Sequence, residues 1–527
     1  MAAFSIRNLS FAYPNENSYA LTDVSLEIPE GTITLICGAS GSGKSTFLRR
    51  LKSCLSDCGK SSGEILFFGK NLDDVPEKEQ AGRIGFVFQQ PDDQIVTDKV
   101  FHEMAFGLES LGWNQNKMRL AVAEMASYFG ISDIFDKNVS ELSGGQKQLV
   151  NLASVAVMHP DVLILDEPTS QLDPIAAADF LTVLRRLNVD LGLTIILTEH
   201  RLEDALPMAD QLVVLDRGHI AACGEPSRVA MQIRDTAFFE SMPAAVKIFS
   251  AVNENGKAPL TIAEGRKFIA EHLDKSVDIM HSRPQIKNET ALEMVNCRFR
   301  YGRNDDDVLT GMSFSLNKGE VCALLGANGS GKSTCIGLLS GRLRPYRGKV
   351  KNHGLKVAAL PQDPRELFVK DSVADELEEL NTDKAEATEM SKFLELDALI
   401  NRHPFDLSGG EQQRLAIGKV LLTKPDVLLF DEPTKGMDGT MKRRFGQLLR
   451  KLRNAGKTVL LVSHDVEFSA CYADRCALLF RGEVITENEP REFFSGNFFY
   501  TTAAAKLSRG MINGAVLTEE VIECLDR

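Results

Sequence analysis

Short, strongly apolar runs recur along this chain, and polar or glycine-rich residues directly follow each of them. The runs of the first half are 32–37, 162–165 and 193–198, and those of the second half are 321–325 and 427–430. Runs of this length are typical of strands buried on both faces of a parallel sheet. Residues 4–28 instead alternate apolar and polar positions, with turn residues between them. This pattern predicts an antiparallel hairpin ahead of the first buried strand.

Helical spacing occurs between the predicted strands. From Val100 to about Phe135, apolar residues such as Phe101 and Met104 recur every three or four positions, which predicts helix. Another helix is predicted from Gln148 onward. Strands that alternate with helices in this way predict an α/β fold with a parallel sheet.

The same order of strands, helices and polar segments occurs twice, which indicates an internal duplication. A chain of 527 residues is long enough for two to four domains. A stretch interrupted by prolines, without a strong apolar run, separates the two copies. The sequence therefore predicts a first catalytic domain at 1–230, an extension and linker at 231–288, and a second catalytic domain at 289–527.

A glycine-rich loop follows the first buried strand of each copy. Residues 38–45 read GASGSGKS and residues 326–333 read GANGSGKS, and both match the phosphate-binding pattern GxxxxGK[ST]. Glycines let backbone N–H groups surround phosphate oxygens, lysine adds a cation, and serine offers a hydroxyl to Mg²⁺. The predicted nucleotide-binding residues are Gly38, Ser40, Gly41, Gly43, Lys44, Ser45 and Thr46 in the first loop, and Gly326, Asn328, Gly329, Gly331, Lys332, Ser333 and Thr334 in the second.

Two carboxylates end a buried strand of the first copy. Asp166 is predicted to hold Mg²⁺ together with Ser45, and Glu167 to orient or deprotonate the attacking water. Gln89 and His200 follow other predicted strands. Because the carboxyl ends of parallel strands meet at one edge of a sheet, Gln89 is predicted to reach the water and His200 to sense the γ-phosphate.

The second copy repeats this catalytic set. Asp431 and Ser333 form its predicted Mg²⁺ site, and Glu432 is its predicted water-activating residue. Gln362 and His464 are the corresponding residues at neighbouring strand ends.

An aromatic residue precedes the phosphate-binding loop in each copy. Tyr13 lies in the predicted hairpin of the first copy, and Tyr301 is its counterpart in the second. With a phosphate-binding loop nearby, each is predicted to stack on the purine ring of the nucleotide.

Composition narrows the class of protein. A formal net charge of −13 and a pI near 5.4 argue against a protein that coats nucleic acid, which needs a basic face. No stretch approaches the roughly 18 apolar residues of a membrane span, and no signal peptide is evident. We therefore expect a cytosolic protein whose membrane role comes through a partner. The ten cysteines lie in settings without a CxxC pair, which predicts free thiols.

Six ordered segments resemble the motif set of ATP-binding cassette (ABC) ATPases. They are the P-loop, the Gln89 loop, LSGGQ at 142–146, the strand end with Asp166 and Glu167, SQLD at 170–173, and the loop with His200. The resemblance implies an α/β fold of two tandem P-loop NTPase domains. Each would have a mainly parallel core sheet with helices, an antiparallel β-subdomain and a helical subdomain that carries the LSGG signature. The resemblance also implies hydrolysis of ATP with Mg²⁺.

In ABC ATPases two cassettes meet head to tail, and each ATP lies between the P-loop of one and the LSGG of the other. The resemblance therefore implies that Lys44 and Glu167 work with Ser408. It likewise implies that Lys332 and Glu432 work with Ser143. The signature residues implied at the nucleotides are Ser143, Gly144 and Gly145, and Ser408, Gly409 and Gly410.

Two features distinguish the second copy from the first. The interval from Lys332 to Gln362 is shorter than that from Lys44 to Gln89, so part of the antiparallel subdomain is predicted to be trimmed. The second aspartate loop, at 435–438, reads KGMD and departs from the family pattern. Neither change removes a chemical group, so we expect two hydrolytic sites that need not be equal.

Local motifs resemble the ATPases of energy-coupling factor (ECF) importers. They are PDDQI at 91–95, EMAFGLE at 103–109 and EHRLEDAL at 199–206. The C-terminal FFYTTAA at 498–504 resembles the fused double-cassette branch linked to thiamine-precursor uptake. This resemblance implies an integral membrane coupling subunit and a small substrate-binding membrane subunit as partners, no nucleic acid, and a peripheral location on the cytoplasmic face of the cell membrane. The cargo, a vitamin or a metal ion, stays open because another polypeptide selects it in that family.

Two other interpretations remain open from the sequence. A soluble two-cassette ABC protein of the ribosome shares the duplication, but its linker is a charged helical hairpin, whereas this linker is interrupted by prolines. A double-cassette sugar importer ATPase also shares the duplication, but PDDQ at 91–94 argues against it. A basic patch large enough for a ribosome would favour the ribosomal protein. An apolar groove lined by residues after Gln89 and Gln362 would favour the ECF importer.

Overall fold

The chain folds into two compact units, Met1–Gly265 and Arg266–Arg527. The structure is a computed structural model, and it describes residues 1–14, 18–252, 256–273, 275–279, 289–379 and 384–526. Among these residues, no helix is long and apolar enough to cross a membrane.

The first unit alternates strands with helices, as the sequence predicts. Its strands are β1 Ala2–Ala12, β2 Leu21–Pro29, β3 Ile33–Cys37, β4 Lys60–Phe67, β5 Lys70–Asn71, β6 Ile84–Val87, β7 Val162–Asp166, β8 Thr194–Thr198, β9 Gln211–Asp216 and β10 His219–Gly224. Its α-helices are α1 Lys44–Arg50, α2 Glu77–Arg83, α3 Val100–Ser110, α4 Gln115–Tyr128, α5 Gly144–Ala156, α6 Pro174–Leu191, α7 Leu202–Ala205, α8 Pro226–Gln232, α9 Ala244–Val252 and the start of α10 Ile262–His272.

A six-stranded sheet forms the centre of the first unit, in the order β10-β9-β3-β8-β7-β6. All neighbours are parallel except β10, which pairs antiparallel with β9. Strands β3, β7 and β8 are buried along their whole length, which is why their sequences are continuous apolar runs. Their carboxyl ends lie side by side, at the edge where ligands bind in open parallel sheets.

An antiparallel sheet, β2-β1-β4-β5, covers the helix that follows the first glycine-rich loop. The pairing of β1 with β2 confirms the predicted hairpin. One apolar cluster joins Phe4 and Phe67 of this sheet to Phe47 of α1 and Ile164 of β7, all of them buried. This packing fixes α1, and with it the loop that leads into the helix.

The predicted helical region at 100–135 contains α3 and α4, joined by a short turn. The helix predicted from Gln148 onward begins earlier, at Gly144. The physical reason is a capping box, in which the Ser143 hydroxyl accepts from the Gln146 amide at 3.3 Å and the Gln146 side chain accepts from the Ser143 amide at 3.0 Å. The glycines of LSGG are therefore the first residues of α5.

The second unit repeats this architecture. Its strands are β11 Val277–Asp278, β12 Thr290–Phe299, β13 Leu309–Asn317, β14 Val321–Leu325, β15 Arg347–Asn352, β16 Val357–Leu360, β17 Val427–Asp431, β18 Thr458–Val462, β19 Arg475–Phe480, β20 Glu483–Asn488 and β21 Ile512–Asn513. Besides the end of α10, its α-helices are α11 Lys332–Leu339, α12 Val373–Glu378, α13 Lys384–Phe393, α14 Gly409–Leu422, α15 Gly439–Asn454, α16 Val466–Tyr472, α17 Pro490–Gly496, α18 Ala503–Ser508 and α19 Thr518–Leu525.

The central sheet of the second unit follows the order β16-β17-β18-β14-β19-β20. Its antiparallel sheet has three described strands, β13-β12-β15, where the first unit has four. The shorter interval between Lys332 and Gln362 therefore corresponds to a trimmed antiparallel subdomain, as predicted.

The extension predicted at 231–288 contributes to both units. Helices α8 and α9 lie in the first unit, and the division between the units falls inside α10. Within α10, Arg266 donates to the carbonyl oxygens of Lys506 and Arg509. Beyond α10, Val277 pairs in parallel register with Ile512. The parts of the extension at 253–255, 274 and 280–288 lie outside the described residues. The three-part division of the chain stays a prediction.

A glycine lets α15 pack against α16. Gly446 is buried, and a Cβ added there would lie 2.1 Å from the ring of Tyr472. Beside it, Phe445 stacks on Phe468 with ring centroids 5.7 Å apart. The contact between the helices therefore has no room for a methyl group at position 446.

We expect Gly446→Ala to destabilise the second unit by about 1–3 kcal/mol, because the added methyl group overpacks this contact. Gly496→Ala is the matched control, since Gly496 ends α17 and a Cβ there meets nothing within 4 Å. Differential scanning calorimetry of both variants measures the effect. Equal melting temperatures for Gly446→Ala and the unchanged protein would contradict this expectation.

Candidate nucleotide sites

The first glycine-rich loop connects β3 to α1 and passes close to β9. Gly38 has a φ of +154°, and a Cβ there would lie 2.2 Å from the carbonyl oxygen of Leu215. A residue with a side chain therefore does not fit at position 38. The Lys44 ammonium closes the loop, donating to the carbonyl oxygens of Gly38 at 2.9 Å and Ala39 at 3.0 Å.

The second loop has the same geometry. Gly326 has a φ of +156°, and a Cβ there would lie 2.4 Å from the carbonyl oxygen of Leu479. The Lys332 ammonium donates to the carbonyl oxygens of Gly326 and Ala327, both at 2.9 Å. The two loops that the sequence predicted are thus folded alike.

Both loops carry polar groups suited to an anion. The side-chain hydroxyls of Ser42 and Ser330 are buried and have no hydrogen-bond partner among the described residues. Gly43 and Gly331 precede α1 and α11 in left-handed conformations and provide no side-chain cap, so the first helical N–H groups are not bound by a capping side chain. N–H groups of this kind, with a lysine beside them, are the usual partners of phosphate oxygens.

Each predicted purine-stacking tyrosine is joined to the helix after its loop. The Tyr13 hydroxyl lies 2.9 Å from the Thr46 hydroxyl and donates to Asp57 at 3.0 Å. Tyr301 lies 3.1 Å from the Thr334 hydroxyl, and 66% of it is exposed. These bonds hold both rings beside the loops, and purine stacking stays a prediction.

Asp166 ends β7 with its carboxylate buried among hydroxyls. The Thr198 hydroxyl donates to it at 2.8 Å, and Ser45 also hydrogen-bonds to it. Burial raises the pKa of Asp166, and the neighbouring Glu167 raises it further, while the bonds from Ser45 and Thr198 act in the opposite direction. Asp431 and Ser333 form the same pair in the second unit, where burial again raises the pKa of the carboxyl group.

Glu167 is held at both carboxylate oxygens. Gln89 donates to Oε2 at 2.8 Å, and His200 Nε2 lies 2.7 Å from Oε1. Burial would raise the pKa of Glu167, but the charge and hydrogen bond of His200, together with Lys44, bring it below the usual value. The three predicted catalytic residues of the first unit therefore meet in the structure, and Glu167 is placed to accept a proton as a carboxylate.

The second catalytic glutamate has different neighbours. Glu432 Oε1 lies 3.3 Å from His464 Nε2, and the His464 amide donates to Glu432 Oε2 at 3.2 Å. His464 Nε2 also lies 2.9 Å from the amide oxygen of Asn328 in the glycine-rich loop. Gln362 is exposed after β16. The structure therefore joins Glu432 to His464, whereas Gln362, which lies two residues after its strand as Gln89 does, is exposed.

The signature serines begin helices in both units. Ser143 precedes α5 and Ser408 precedes α14, and each forms a capping box with the third helical residue. Gly144 and Gly145 are the first residues of α5, and Gly409 and Gly410 are the first residues of α14. These helix starts present N–H groups of the kind that bind anions.

Thr198 and Glu199 shape the first site but were not predicted as site residues. Thr198 binds both Asp166 and the amide of Glu167, and Glu199 binds the amide of Thr169. The signal available in the sequence was their position at the end of a buried strand that is followed by His200. Polar residues at such a strand end face the site or the core.

This arrangement, two P-loop domains with strand-end carboxylates and glycine-led helices, defines a two-cassette ATP-binding protein. The sequence profile of the family described as "ABC transporter" matches residues 21–170 and 309–435, just over half of the chain. The chain belongs to this family.

Relatives that align over most of this chain support the assignment. A protein of Bacillus thuringiensis subsp. konkukian, named as an ABC transporter ATP-binding protein, is 41% identical, and the alignment covers 99% of this chain and 98% of that protein. Proteins with the same type of name in Clostridium tetani and Streptomyces coelicolor are 34% and 33% identical, over 80% and 95% of this chain and 99% and 96% of their own lengths.

Two solved structures are also similar. The archaeal ribosome recycling factor aABCE1, solved with the ribosomal stalk protein aP1, aligns over 93% of this chain and 91% of its own, with a TM-score of 0.57 and 24% identity. It shares the fold. The protein cbiO1 from Clostridium perfringens, part of the transporter complex cbiONQ, covers 45% of this chain and 96% of its own, with a TM-score of 0.40 and 30% identity.

ABC proteins are ATPases that bind ATP with Mg²⁺, and this chain is therefore an ATPase with these cofactors. The residues present fit them, since Ser45 and Asp166 offer the oxygen ligands that Mg²⁺ prefers. The ion supplies positive charge to the phosphates when bound. We propose that Lys44 leaves its loop carbonyls for the phosphates and that Glu167 takes a proton from water.

We expect Glu167→Gln combined with Glu432→Gln to bind ATP but to slow hydrolysis by about 10²-fold or more, because an amide cannot accept the proton. Glu109→Gln is the matched control, since Glu109 is an exposed glutamate of α3. Release of phosphate from ATP and retention of labelled nucleotide measure the two effects. Sustained turnover by the double variant would remove the water-activating role from both glutamates.

Proposed function

We propose that this chain is the ATP-hydrolysing motor subunit of an ECF-type importer. It would work on the cytoplasmic face of the cell membrane with an integral coupling subunit and a small substrate-binding membrane subunit, in the uptake of a vitamin or a metal ion. The observation that carries the proposal is a hydrogen-bonded segment, residues 91–96, that is fastened to the signature helix and exposes the side chain of Val96. We call this segment the first coupling segment.

The first coupling segment is tied to its own strand and to α5. The Gln94 side chain accepts from the Phe88 amide at 3.0 Å and donates to the Phe86 carbonyl at 3.2 Å. From α5, Asn151 donates to the Pro91 carbonyl at 3.1 Å. Lys147, also in α5, binds Asp92 at 2.6 Å, although this pair is exposed and adds little stability. Pro91, Asp92 and Gln94 of the PDDQ motif thus make these contacts, and Asp93 lies between them in the sequence.

A buried glutamate fixes the far end of the first coupling segment. Glu103 of α3 is 4% exposed, and its Oε2 accepts from the amides of Val96 at 3.1 Å and Thr97 at 2.8 Å and from the Thr97 hydroxyl at 2.9 Å. Hydrogen bonds to a buried carboxylate are stronger than neutral ones. Val96 itself stays 67% exposed, so a rigid backbone presents an apolar side chain to solvent.

The second unit makes the equivalent connection with a buried lysine. Lys419 of α14 donates to the Leu367 carbonyl at 2.6 Å and to the carboxylates of Glu376 and Glu379. Glu376 in turn accepts from the Lys370 amide at 2.7 Å. Val369, within this segment, is 66% exposed. Both units thus hold an exposed valine on a segment that is fastened to the signature helix.

This geometry suits an ATPase whose movement is transmitted to a bound partner. We propose that Ser143 to Gly145 and Ser408 to Gly410 contact ATP, so that hydrolysis changes the position of α5 and α14. A partner seated on the coupling segments would follow that movement, because the segments move with the helices. The relatives named as ABC transporter ATP-binding proteins support a transport partner. The net charge of −13 gives no support to a ribosome-binding role.

We expect Val96→Arg to reduce recovery of membrane partners with the affinity-tagged chain, because a charged side chain would be buried against the partner without a counter-charge. Val189→Arg is the matched control, since Val189 is a valine 71% exposed on α6, away from the coupling segment in sequence. Purification from native membranes in mild detergent, followed by mass spectrometry, measures recovery.

Three results would contradict the proposal. Copurification of ribosomal proteins without an integral membrane protein would replace the importer with the ribosomal alternative. Copurification of a sugar importer's permease would favour the double-cassette sugar importer. Equal recovery of the membrane partner with Val96→Arg and Val189→Arg would remove the coupling segment from the contact.

A further inference from the structure

A buried carboxylate stands behind the catalytic pair of the first unit. Glu199 lies between Thr198 and His200 at the end of β8 and is only 2% exposed. Its Oε1 accepts a hydrogen bond from the Thr169 amide at 3.0 Å. The hydrogen bond that Glu199 makes thus goes to the turn after β7 and not to a residue predicted to bind nucleotide or accept the proton. Burial of a carboxylate is costly, so a buried glutamate here calls for a function.

Glu199 and Thr198 together hold the turn that contains Glu167. The Thr198 hydroxyl accepts from the Glu167 amide at 2.9 Å, and Glu199 accepts from the amide two residues further on. Glu167 has a φ of +44°, a left-handed conformation that residues with side chains rarely adopt. Such a conformation persists only where its surroundings fix it. Thr198, the last residue of β8, and Glu199, which follows it, supply these contacts.

The second unit lacks both anchors. Ser463 occupies the position of Glu199 and Val462 that of Thr198, as the pairing of β7 with β8 and of β17 with β18 shows. The Ser463 hydroxyl lies 3.5 Å from that of Thr434, a long contact. The imidazole-to-carboxylate distance in this unit is 3.3 Å, against 2.7 Å in the first. The catalytic pair is closer where the glutamate anchor is present.

We propose that Glu199 is a positioning residue of the first hydrolytic site. By holding the Thr169 amide, it keeps Glu167 in reach of Gln89 and His200. The second site has no such residue, so the two sites hydrolyse ATP with different requirements.

The charge of Glu199 also acts on its neighbours. Burial raises the pKa of Glu199 to about 7. The charge of Glu167 also raises this pKa, whereas the hydrogen bonds from Thr169 and the charge of Arg201 lower it. The ionisable groups around Glu199 are thus Glu167 in the turn after β7 and His200 and Arg201 along its own chain. As the pH rises through about 7, Glu199 becomes an anion. An anion there repels the charge on Glu167 and makes Glu167 the stronger base.

Single-turnover hydrolysis of radiolabelled ATP by excess purified full-length chain tests this role. Glu432→Gln is included so that the signal comes from the first site, and the rate is measured from pH 6 to pH 9. Glu199→Gln keeps the size and the acceptor for Thr169 but cannot ionise. Glu199→Ser copies the second unit. The matched change at the second site is Ser463→Ala, combined with Glu167→Gln so that the signal comes from the second site.

We expect Glu199→Ser to slow the first site about 10-fold or more with little change in ATP affinity, because the misplaced base acts in the chemical step. Glu199→Gln should stay within about threefold at pH 7 and lose a step near pH 7 that the unchanged site shows, because a glutamine side chain cannot ionise. Ser463→Ala should change the second site by less than about threefold.

Two outcomes would overturn the proposal: unchanged rates with Glu199→Ser, or a pH profile of Glu199→Gln that matches the unchanged site. If Glu199→Ser loses ATP binding or its melting transition, Glu199→Gln decides through the pH profile. The ATPase activity carries the test, and no membrane partner is needed. Failure here and failure of the importer proposal are therefore distinguishable.

Discussion

Each hydrolytic site depends on a left-handed turn directly after a buried strand. Glu167 and Glu432, which end the acidic pairs, have φ values of +44° and +51°. For residues with a side chain this conformation costs about 1–2 kcal/mol, and it turns the glutamate out of the strand direction. Surrounding contacts must offset this conformational cost. The sheet supplies them, because the neighbouring strand ends at the same edge and its polar residues can bind the turn.

The two units meet this requirement with different residues, and this explains how one duplicated sequence gives two unlike sites. In the first unit Thr198 and Glu199 bind backbone amides of the turn. In the second, the Glu432 amide donates to the backbone of Val462, and Gln413 of α14 donates to the Glu432 carbonyl. The second turn is thereby tied to the signature helix as well as to the sheet, whereas the bonds from Thr198 and Glu199 tie the first turn through side chains at the end of β8. Duplication preserved the turn, while the contacts that support it diverged.

The sequence predicts the strands, the repeated loops and the catalytic set because each depends on local chemistry. Apolar runs must be buried, and GxxxxGK[ST] has few structural uses. The start of α5 at Gly144 is also local, because it depends on reciprocal bonds between Ser143 and Gln146, three residues apart. Contacts between distant segments are not encoded locally. The burial of Glu199, for example, depends on what packs over the end of β8.

The helix α5 joins the two ends of the proposed mechanism. Its first residues are the signature glycines, and its first two turns hold Lys147 and Asn151, which bind the first coupling segment. The rise of an α-helix is about 1.5 Å per residue, so roughly 10 Å separates the start of α5 from Asn151. Over that distance a hydrogen-bonded helix moves as one body. In the proposed mechanism, a displacement at the signature glycines would therefore be carried along α5 to the first coupling segment.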